Sequence, residues 1–345
     1  MHEKIQTALI GCGRRGRLHT AGMLQDPRYD IVAVCDIDLD AAKKLTADFG
    51  LDNAKIYTSY DRMLEELRPE LVVQALWPQH RLAVYKSCVK YGVKHMVSEK
   101  PFADNFGDAR ELRRLALESD CRLSYTHQRR FSPANRKVRE LLAAGAIGDV
   151  TRVDLYAYRH LLDCGTHTLD QLWSYLGDIP VSRVYGSLEL EGSVKWFDVP
   201  GEGSFAGTVI YETGLYGSIF AGLGEKRRAQ SGVTLYGTKG YMELGWEGRL
   251  YSYASLDMQS ELAGLAAWTD GDCCGDNIAL MWRYLADCRD SGDDVLDNNE
   301  INWRHAYNAV EVIFALYESV RTSSSVKLPL EGVDGNPLKE IIANK

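Results

Sequence analysis

The chain of 345 residues is 45% hydrophobic and 26% charged, proportions that are typical of a folded globular protein and exclude a disordered or fibrous one. The net charge of −8 argues against a nucleic-acid-binding protein, because phosphate binding needs a concentrated basic patch and we find none. No apolar run approaches the length of a membrane span, so no membrane partner is expected, and the length fits two ordinary domains.

The eight cysteines are scattered along the chain and match neither a zinc-ligand spacing nor a disulfide framework. We therefore expect reduced thiols and no metal site. The first strand-like segment starts at Ile5, which leaves no room for a signal peptide. Together these features predict a cytoplasmic protein.

Short apolar segments alternate with helical patterns over roughly the first third of the chain. The apolar segments predict strands near residues 5–10, 31–35, 71–76, 93–98 and 121–126. Alternation of this kind is typical of an α/β fold with a parallel sheet and helices on both faces.

A glycine-rich turn follows the first predicted strand and opens the first predicted helix. Its residues are Gly11, Cys12, Gly13, Arg14, Arg15 and Gly16, in the pattern G-x-G-x-x-G. Such glycines make a tight turn and let the backbone approach a pyrophosphate at the helix N-terminus. The pattern alone is weak, but its place between a strand and a helix strengthens it. We expect all six residues to line a dinucleotide cofactor.

Asp36 ends the second predicted strand, about 20 residues after the last glycine, where a carboxylate typically binds the adenosine ribose. The same carboxylate repels a 2′-phosphate, and the next residues, Ile37 and Asp38, supply no positive charge. The sequence therefore favours NAD over NADP. Arg14 and Arg15 could favour NADP if they reach toward its 2′-phosphate, or they could equally balance the charge of the pyrophosphate.

Two further polar segments follow the third and fourth predicted strands, at the edge where open α/β sheets bind ligands. Trp77, Pro78 and His80 can form a wall against the nicotinamide ribose, or only a helix start with proline in its first turn. Glu99 and Lys100 follow the next strand. Lys100 can reach into the cofactor crevice, whereas Glu99 either contacts the cofactor or pairs with a nearby base.

With the fingerprint, Asp36, Pro78, His80 and the Glu-Lys-Pro tripeptide 99–101, the chain resembles the Gfo/Idh/MocA family of NAD(P)-dependent sugar and polyol oxidoreductases. Further matching stretches are residues 128–133, 163–167 and 237–240 and the predicted late helix at 309–320. The resemblance implies an N-terminal Rossmann domain followed by an α+β domain with a large, mostly antiparallel open sheet. It also implies a substrate site on one sheet face and an oligomer contact on the other, and hence a homodimer or homotetramer.

The second half of the sequence agrees with this arrangement. Ser132 followed by Pro133 is a helix start, residues 184–191 alternate like a strand, and residues 213–214 and 238–240 are hairpin turns. We place the NAD(P)-binding domain at residues 1–126. The substrate-binding and oligomerisation domain is placed at 127–345, and its late helix can pack back on the first domain.

Hydride transfer from a secondary alcohol to nicotinamide needs a base for the hydroxyl proton and a positive or hydrogen-bonding group beside the oxygen. Asp163 and His167 are four residues apart and would share one face of a helix. A histidine in the first turn of a helix tends to stay neutral because the helix dipole disfavours its cation. We expect His167 to act as the general base and Lys100 to orient the hydroxyl and steady developing negative charge. Asp163 would bind the substrate hydroxyl or orient the histidine.

The sequence says less about which residues recognise the substrate. From the resemblance we expect Gln128 beside the cofactor, and Arg129 and Tyr158 beside the substrate. Other polar and aromatic candidates in the second domain are Tyr156, Arg159, His160, Trp173 and Trp196. Residues 158–162 lack the glycine run that family members commonly have there, so the shape of the pocket does not follow from the resemblance.

The leading hypothesis is an NAD-dependent dehydrogenase whose substrate is a small-molecule carbohydrate or polyol: a sugar, a sugar acid or an inositol-like compound. One alternative is a glycosidase that keeps NAD bound, oxidises the sugar transiently, eliminates the aglycone and restores the hydride. A third is a non-catalytic NAD-binding sensor of the same fold. The presence of both Lys100 and His167 argues against the third.

Overall fold

The computed structural model describes residues 3–196, 198–222 and 231–344, apart from the side chain of residue 274. The chain divides into two compact units. The first has the bounds Met1–Ala103, Asp108–Gln128 and Asp276–Arg304; the second has the bounds Asp104–Gly107, Arg129–Gly275 and His305–Lys345. A domain boundary between residues 126 and 127 stays a prediction.

The first unit is built on a parallel sheet. Its strands are β1 (Ile5–Ile10), β2 (Tyr29–Cys35), β3 (Lys55–Tyr57), β4 (Leu71–Gln74), β5 (His95–Ser98) and β6 (Arg122–Tyr125). They lie in the order β3-β2-β1-β4-β5-β6, and every neighbouring pair is parallel, as predicted. Only β3 was not predicted, because two of its three residues are exposed and no apolar run marks it.

Helices connect these strands. They are α1 (Arg14–Met23), α2 (Leu39–Asp48), α3 (Tyr60–Leu67), α4 (Arg81–Tyr91) and α5 (Phe106–Glu118). Local capping fixes their starts: the Asp38 carboxylate accepts the Asp40 N–H at 2.9 Å at the start of α2, and Ser59 caps α3. The middle of the sheet is fully buried, which places the core of this unit between the sheet and its helices.

The second unit is built on a larger sheet. Its strands are β7 (Val150–Ala157), β8 (Val181–Glu189), β9 (Val194–Trp196), β10 (Val199–Gly201), β11 (Ser204–Tyr211), β12 (Tyr216–Ala221), β13 (Gly232–Gly237), β14 (Gly240–Gly245), β15 (Leu250–Ser255) and β16 (Val326–Lys327). Eight of them lie in the order β15-β14-β13-β7-β12-β11-β8-β16, while β9 and β10 pair with each other. All neighbours in the large sheet are antiparallel except β7 and β12, so the predicted fold class is confirmed.

The remaining helices are α6 (Pro133–Ala143), α7 (Thr166–Leu176), α8 (Gln259–Ala266), α9 (Asp270–Cys274), α10 (Asn277–Ser291), α11 (Asp293–Asp297), α12 (Trp303–Thr322) and α13 (Pro337–Ala343), of which α10 and α11 belong to the first unit. Ser132 caps α6 through the Asn135 N–H at 3.1 Å, as its sequence predicted. Both predicted hairpin turns are also present, between β11 and β12 and between β13 and β14. Within the described ranges, no helix is long and apolar enough to cross a membrane.

The two faces of the large sheet differ in exposure. On β8 the even-numbered residues from 184 to 188 are buried and the odd-numbered ones from 183 to 189 are exposed, as the alternation predicted. The buried face is covered in part by α12, where the rings of Phe205 and Tyr317 lie 6.3 Å apart. The opposite face carries Tyr185 and Tyr216, whose surfaces are 52% and 53% exposed.

Candidate active site

The glycine-rich turn between β1 and α1 contains three glycines. The conformation of the turn requires glycine at two of these positions but not at the third. Gly11 has φ +97° and a side chain there would lie 2.8 Å from the Ala75 carbonyl oxygen, while at Gly16 it would collide with the Gly11 carbonyl. A side chain at Gly13 would meet nothing within 4 Å. Gly13 is also the N-cap of α1, and no side chain caps the helix. The turn therefore leaves a bare helix N-terminus open, which fits a pyrophosphate.

Asp36 lies at the carboxyl end of β2 and is hydrogen-bonded to this turn. Its carboxylate accepts the Cys12 N–H at 2.7 Å and the Asp38 N–H at 3.0 Å. Burial first, and the Asp36 charge second, raise the pKa of the Cys12 thiol to about 12. Cys12 is therefore a neutral packing residue. Each carboxylate oxygen of Asp36 has further acceptor capacity, so a ribose hydroxyl can bind without breaking these bonds.

Glu99 forms a buried charge cluster with α1. Its carboxylate is 5% exposed, accepts a 2.6 Å hydrogen bond from Arg15 Nε and lies 2.8 Å from His19 Nε2. Burial alone would raise the pKa of Glu99, but the Arg15 charge and the His19 hydrogen bond outweigh it and hold the pKa well below its ordinary value. Pairing of Glu99 with a base is thus observed, and the base is Arg15, while a cofactor contact by Glu99 stays a prediction.

Lys100 follows directly and is half-buried. Its backbone is held by Arg81, which is 1% exposed and donates to the carbonyls of Lys100 at 2.8 Å and of Pro101. Pro78 begins a 3-10 turn that runs into α4, so the predicted helix start is present. Trp77 precedes this turn and His80 is its last residue, and both are exposed. The carboxyl edge of the sheet thus carries the glycine-rich turn, Asp36, the 77–80 turn and the 99–101 tripeptide, all within the first unit.

Asp163 and His167 do not lie on one regular α-helix, which corrects the spacing argument. Residues Leu161–Gly165 form a single π turn, and α7 begins only at Thr166, so His167 lies in its first turn and Asp163 before it. The His160 ring accepts the Asp163 N–H at 3.3 Å, and the buried Glu202 carboxylate accepts the Leu161 N–H at 2.7 Å. These two acceptors, remote in sequence from each other, stabilise the wider turn.

Trp246, in the turn between β14 and β15, links two of the predicted residues of the second unit. The His167 ring, 6% exposed, lies 5.5 Å from the Trp246 ring. The Arg129 guanidinium lies 4.2 Å from the centre of the Trp246 ring and forms an ion pair with Glu247. Trp246 Nε1 donates to Thr168 at 3.2 Å, beside the histidine. The structure therefore brings Arg129 and His167 against one aromatic side chain.

Arg129 and Tyr158 also line one cavity of about 400 Å³. The other described residues that line it are Ser231, Gly245, Trp246, Glu247, Arg249, Tyr251, Asp270 and Cys273. Its size and mixture of aromatic and polar walls are those of a small-molecule site. Sequence reasoning missed Trp246 and Glu247, because their only signal is the pair of glycines that flank them in a short turn.

Gln128 lies half-buried in a 3-10 turn after β6. Several of the other sequence candidates are structural. His160 is the buried N-cap of the π turn, and the buried Trp173 donates to the Ile179 carbonyl at 3.2 Å. Tyr156 is buried in β7 and stacks on Phe220 at 5.8 Å.

Residues 5–127 match the family model GFO_IDH_MocA, described as an oxidoreductase family with an NAD-binding Rossmann fold. An uncharacterized oxidoreductase of Schizosaccharomyces pombe is 29% identical over 193 residues, which are 50% of this chain and 52% of that protein. The D-glucoside 3-dehydrogenase of Escherichia coli is 27% identical over 242 residues, 62% of this chain and 66% of that protein. The match thus spans about half to two thirds of these curated relatives.

Among solved structures, the WlbA dehydrogenase from Bordetella pertussis, in complex with NADH and UDP-GlcNAcA, has a TM-score of 0.79 at 21% identity, covering 96% of this chain and 99% of that chain. At this identity the comparison shows the fold of the whole chain. The family model adds the cofactor, so the predicted NAD-binding Rossmann domain is confirmed. The predicted resemblance to the Gfo/Idh/MocA oxidoreductases is confirmed as well, with residues 5–127 matching the family model.

Proposed function

We propose that this NAD-binding oxidoreductase moves a hydride between nicotinamide and a secondary hydroxyl or ketone of a sugar, sugar acid or inositol-like polyol. The observation that carries the proposal is the grouping of His167, Trp246, Arg129 and Glu247 in the second unit. An imidazole beside an aromatic ring and an Arg–Glu pair offers a base, an apolar wall and both donors and acceptors. Polyhydroxy compounds present the complementary C–H faces and hydroxyl groups.

The residues of the first unit favour NAD. The bare N-terminus of α1 and the space at Gly13 fit the pyrophosphate, and Asp36 fits the ribose hydroxyls. Arg15 points toward Glu99 after β5, whereas Asp36 follows β2, on the other side of β1. Arg15 is therefore turned away from the place of a 2′-phosphate and cannot offset the Asp36 charge there. Of the two arginines in the glycine-rich turn, only Arg14 could offset the Asp36 charge beside a 2′-phosphate.

The proposed roles follow from where each group lies. NAD, when bound, accepts the hydride of the carbinol carbon. His167 takes the hydroxyl proton, and its place in the first turn of α7 favours the neutral ring that this requires. Lys100 would hydrogen-bond the substrate oxygen and steady its developing negative charge. Asp163 would bind a neighbouring hydroxyl or orient the histidine. We further propose cofactor contacts for Trp77, His80, Lys100 and Gln128.

We also propose a homodimer or homotetramer that uses the exposed face of the large sheet. Tyr185, Ile210 and Tyr216 lie on three adjacent strands and face the same side, since Ile210 pairs with both Arg183 and Tyr216 in the register. They are 52%, 39% and 53% exposed. Light scattering on the wild type and on Tyr216→Glu checks this: a larger species that dissociates in the variant supports it, and a monomeric wild type contradicts it.

A substrate panel tests the function. The protein is incubated with NAD and a set of polyols, sugars and sugar acids while NADH formation is followed, beside chromogenic glycosides with catalytic NAD. Stoichiometric NADH is expected. Release of the aglycone without net NADH would instead indicate the NAD-dependent glycosidase, and no reaction in either panel with NAD still bound would indicate a sensor.

A further inference from the structure

In the cavity of the second unit lined by Arg129, Trp246 and Glu247, the described lining residues carry equal numbers of positive and negative charges. Among the described residues that line it, four are charged, and they form two ion pairs: Arg129 with Glu247 and Arg249 with Asp270. A cavity that selects an anion is expected to present an excess of positive charge. The described residues of this lining present no such excess.

The first pair is held in a fixed position. The guanidinium of Arg129 packs on the Trp246 ring at 4.2 Å and its edge meets the Glu247 carboxylate. The side chains of this pair are only 20% and 23% exposed. Solvent therefore screens their attraction less than it would on an open surface. An anion that bound Arg129 would have to displace a carboxylate that is already in place.

The backbone that carries this pair is anchored as well. Three consecutive carbonyls, of residues 245–247, each accept a hydrogen bond from a buried side chain: Gln171 at 2.7 Å, Asn135 at 2.8 Å and Ser132 at 3.0 Å. The same Asn135 amide donates to the Arg129 carbonyl at 2.8 Å. One buried amide thus fixes both sides of the Arg–Trp–Glu arrangement, so movement of Glu247 away from Arg129 is disfavoured.

We infer that this cavity binds an uncharged polyhydroxy ring, and that Glu247 selects against a carboxylate on the substrate. The inference rests on the proposed oxidoreductase function and narrows its substrate to neutral sugars and glycosides. A hydroxyl group donates and accepts at once, so neighbouring hydroxyls can bridge the guanidinium and the carboxylate of the pair. Tyr158, Trp246 and Tyr251 supply aromatic surface for the C–H face of the ring. A sugar acid would instead bring its charge against Glu247, and like charges disfavour binding.

Matched substrate pairs test this inference: methyl glycosides of glucose, galactose and mannose, each with the corresponding methyl glycosiduronate. For wild type, kcat/KM from NADH formation and Kd from calorimetry with the NAD-loaded protein are expected to favour the neutral member at least about tenfold, since a like-charge contact costs several kcal/mol and each 1.4 kcal/mol is tenfold. Glu247→Gln should lower this preference about tenfold. Glu247→Asp, which keeps the charge, should preserve the sign of the preference.

Asp270→Asn is the matched control. It removes the same charge from the other pair, but Asp270 is 81% exposed, so its effect on the preference should be much smaller. If NADH forms but wild type prefers a glycosiduronate, the inference is overturned while the oxidoreductase function stands. The same holds if NADH forms and Glu247→Gln leaves the preference for the neutral member unchanged. If no sugar yields NADH, the proposed function fails, but the inference can still be tested by calorimetry. A Kd that is not lower for the neutral member of each pair overturns it.

Discussion

Replacing Asp36 with asparagine is the sharpest test of how the first unit chooses its cofactor. The asparagine side chain keeps an oxygen that can accept the Cys12 N–H, as the Asp36 carboxylate does at 2.7 Å, so the glycine-rich turn should keep its position. The amide nitrogen cannot accept the Asp38 N–H, so the substitution removes that 3.0 Å hydrogen bond together with the negative charge. We expect affinity for NAD to fall and affinity for NADP to rise relative to it.

The size of the effect follows from the charge and its surroundings. Two unit charges about 4 Å apart interact by about 1 kcal/mol in water and about 4 kcal/mol at an effective dielectric constant of 20. Asp36 is half-buried, which places it between these limits. Since about 1.4 kcal/mol is a factor of ten, the ratio of the two dissociation constants should move by about 10- to 100-fold.

The assay is a calorimetric or fluorescence titration of wild type and Asp36→Asn with NAD and NADP. Asp38→Asn is the control, because Asp38 is exposed and caps α2 two residues further on. It should lower the free energy of unfolding by up to about 1 kcal/mol, since asparagine caps helices nearly as well, and leave the cofactor ratio unchanged. An unchanged ratio in Asp36→Asn, or an equal change in the control, would refute a ribose contact by Asp36.

Three further perturbations address the catalytic and structural assignments. Lys100→Ala and His167→Ala should each lower turnover by orders of magnitude and leave NAD binding nearly intact, and His167→Ala should also remove an ionisation from the pH–rate profile; near-wild-type turnover in both contradicts these roles. Glu99→Gln should lower the free energy of unfolding at pH 7 by about 3 kcal/mol, because it leaves buried basic groups without their counter-charge. Since the pKa of Glu99 is lowered by folding, its stabilisation is complete above the ordinary value of 4.5 and is lost as the pH falls toward the folded value. Urea unfolding should therefore show a gap between wild type and variant that narrows from pH 7 to pH 3, and a constant gap would argue against a charged Glu99. Trp246→Ala should lower kcat about tenfold, because an aromatic contact contributes about 0.5–1.5 kcal/mol, with Trp246→Phe restoring most of the activity; a loss of stability with unchanged kcat would mean that the ring only packs.

Much of the first unit could be predicted from the sequence because its signals are local. The β1 strand, the glycine-rich turn and the start of α1 are consecutive, and Asp36 closes the next strand. The same holds for the Ser132 cap and the two hairpins of the second unit. In each case the residues that determine the conformation are within a few positions of one another.

The parts that could not be predicted depend on residues far apart in the chain. The π turn before α7 rests on Glu202, which is 41 positions from Leu161, and so a four-residue spacing was mistaken for a helix face. Arg129 meets Glu247 across 118 positions, through an asparagine amide that bridges their backbones. Periodicity and motif arguments describe neighbours in the sequence, so they cannot pair Arg129 with Glu247.

Glu99 shows how a charged residue can fix the position of its neighbour in the chain. A buried ion pair adds little net stability, because the loss of hydration offsets most of the Coulomb attraction. Its effect here is positional: Arg15 and His19 hold Glu99 on one side of Lys100, and Arg81 holds the carbonyls of Lys100 and the next residue on the other. The backbone of the proposed catalytic lysine is thereby fixed by side chains from both α1 and α4. Since Arg15 belongs to the glycine-rich turn, its contact with Glu99 links that turn to the residue before Lys100, so one carboxylate connects the proposed cofactor site with the proposed catalytic lysine.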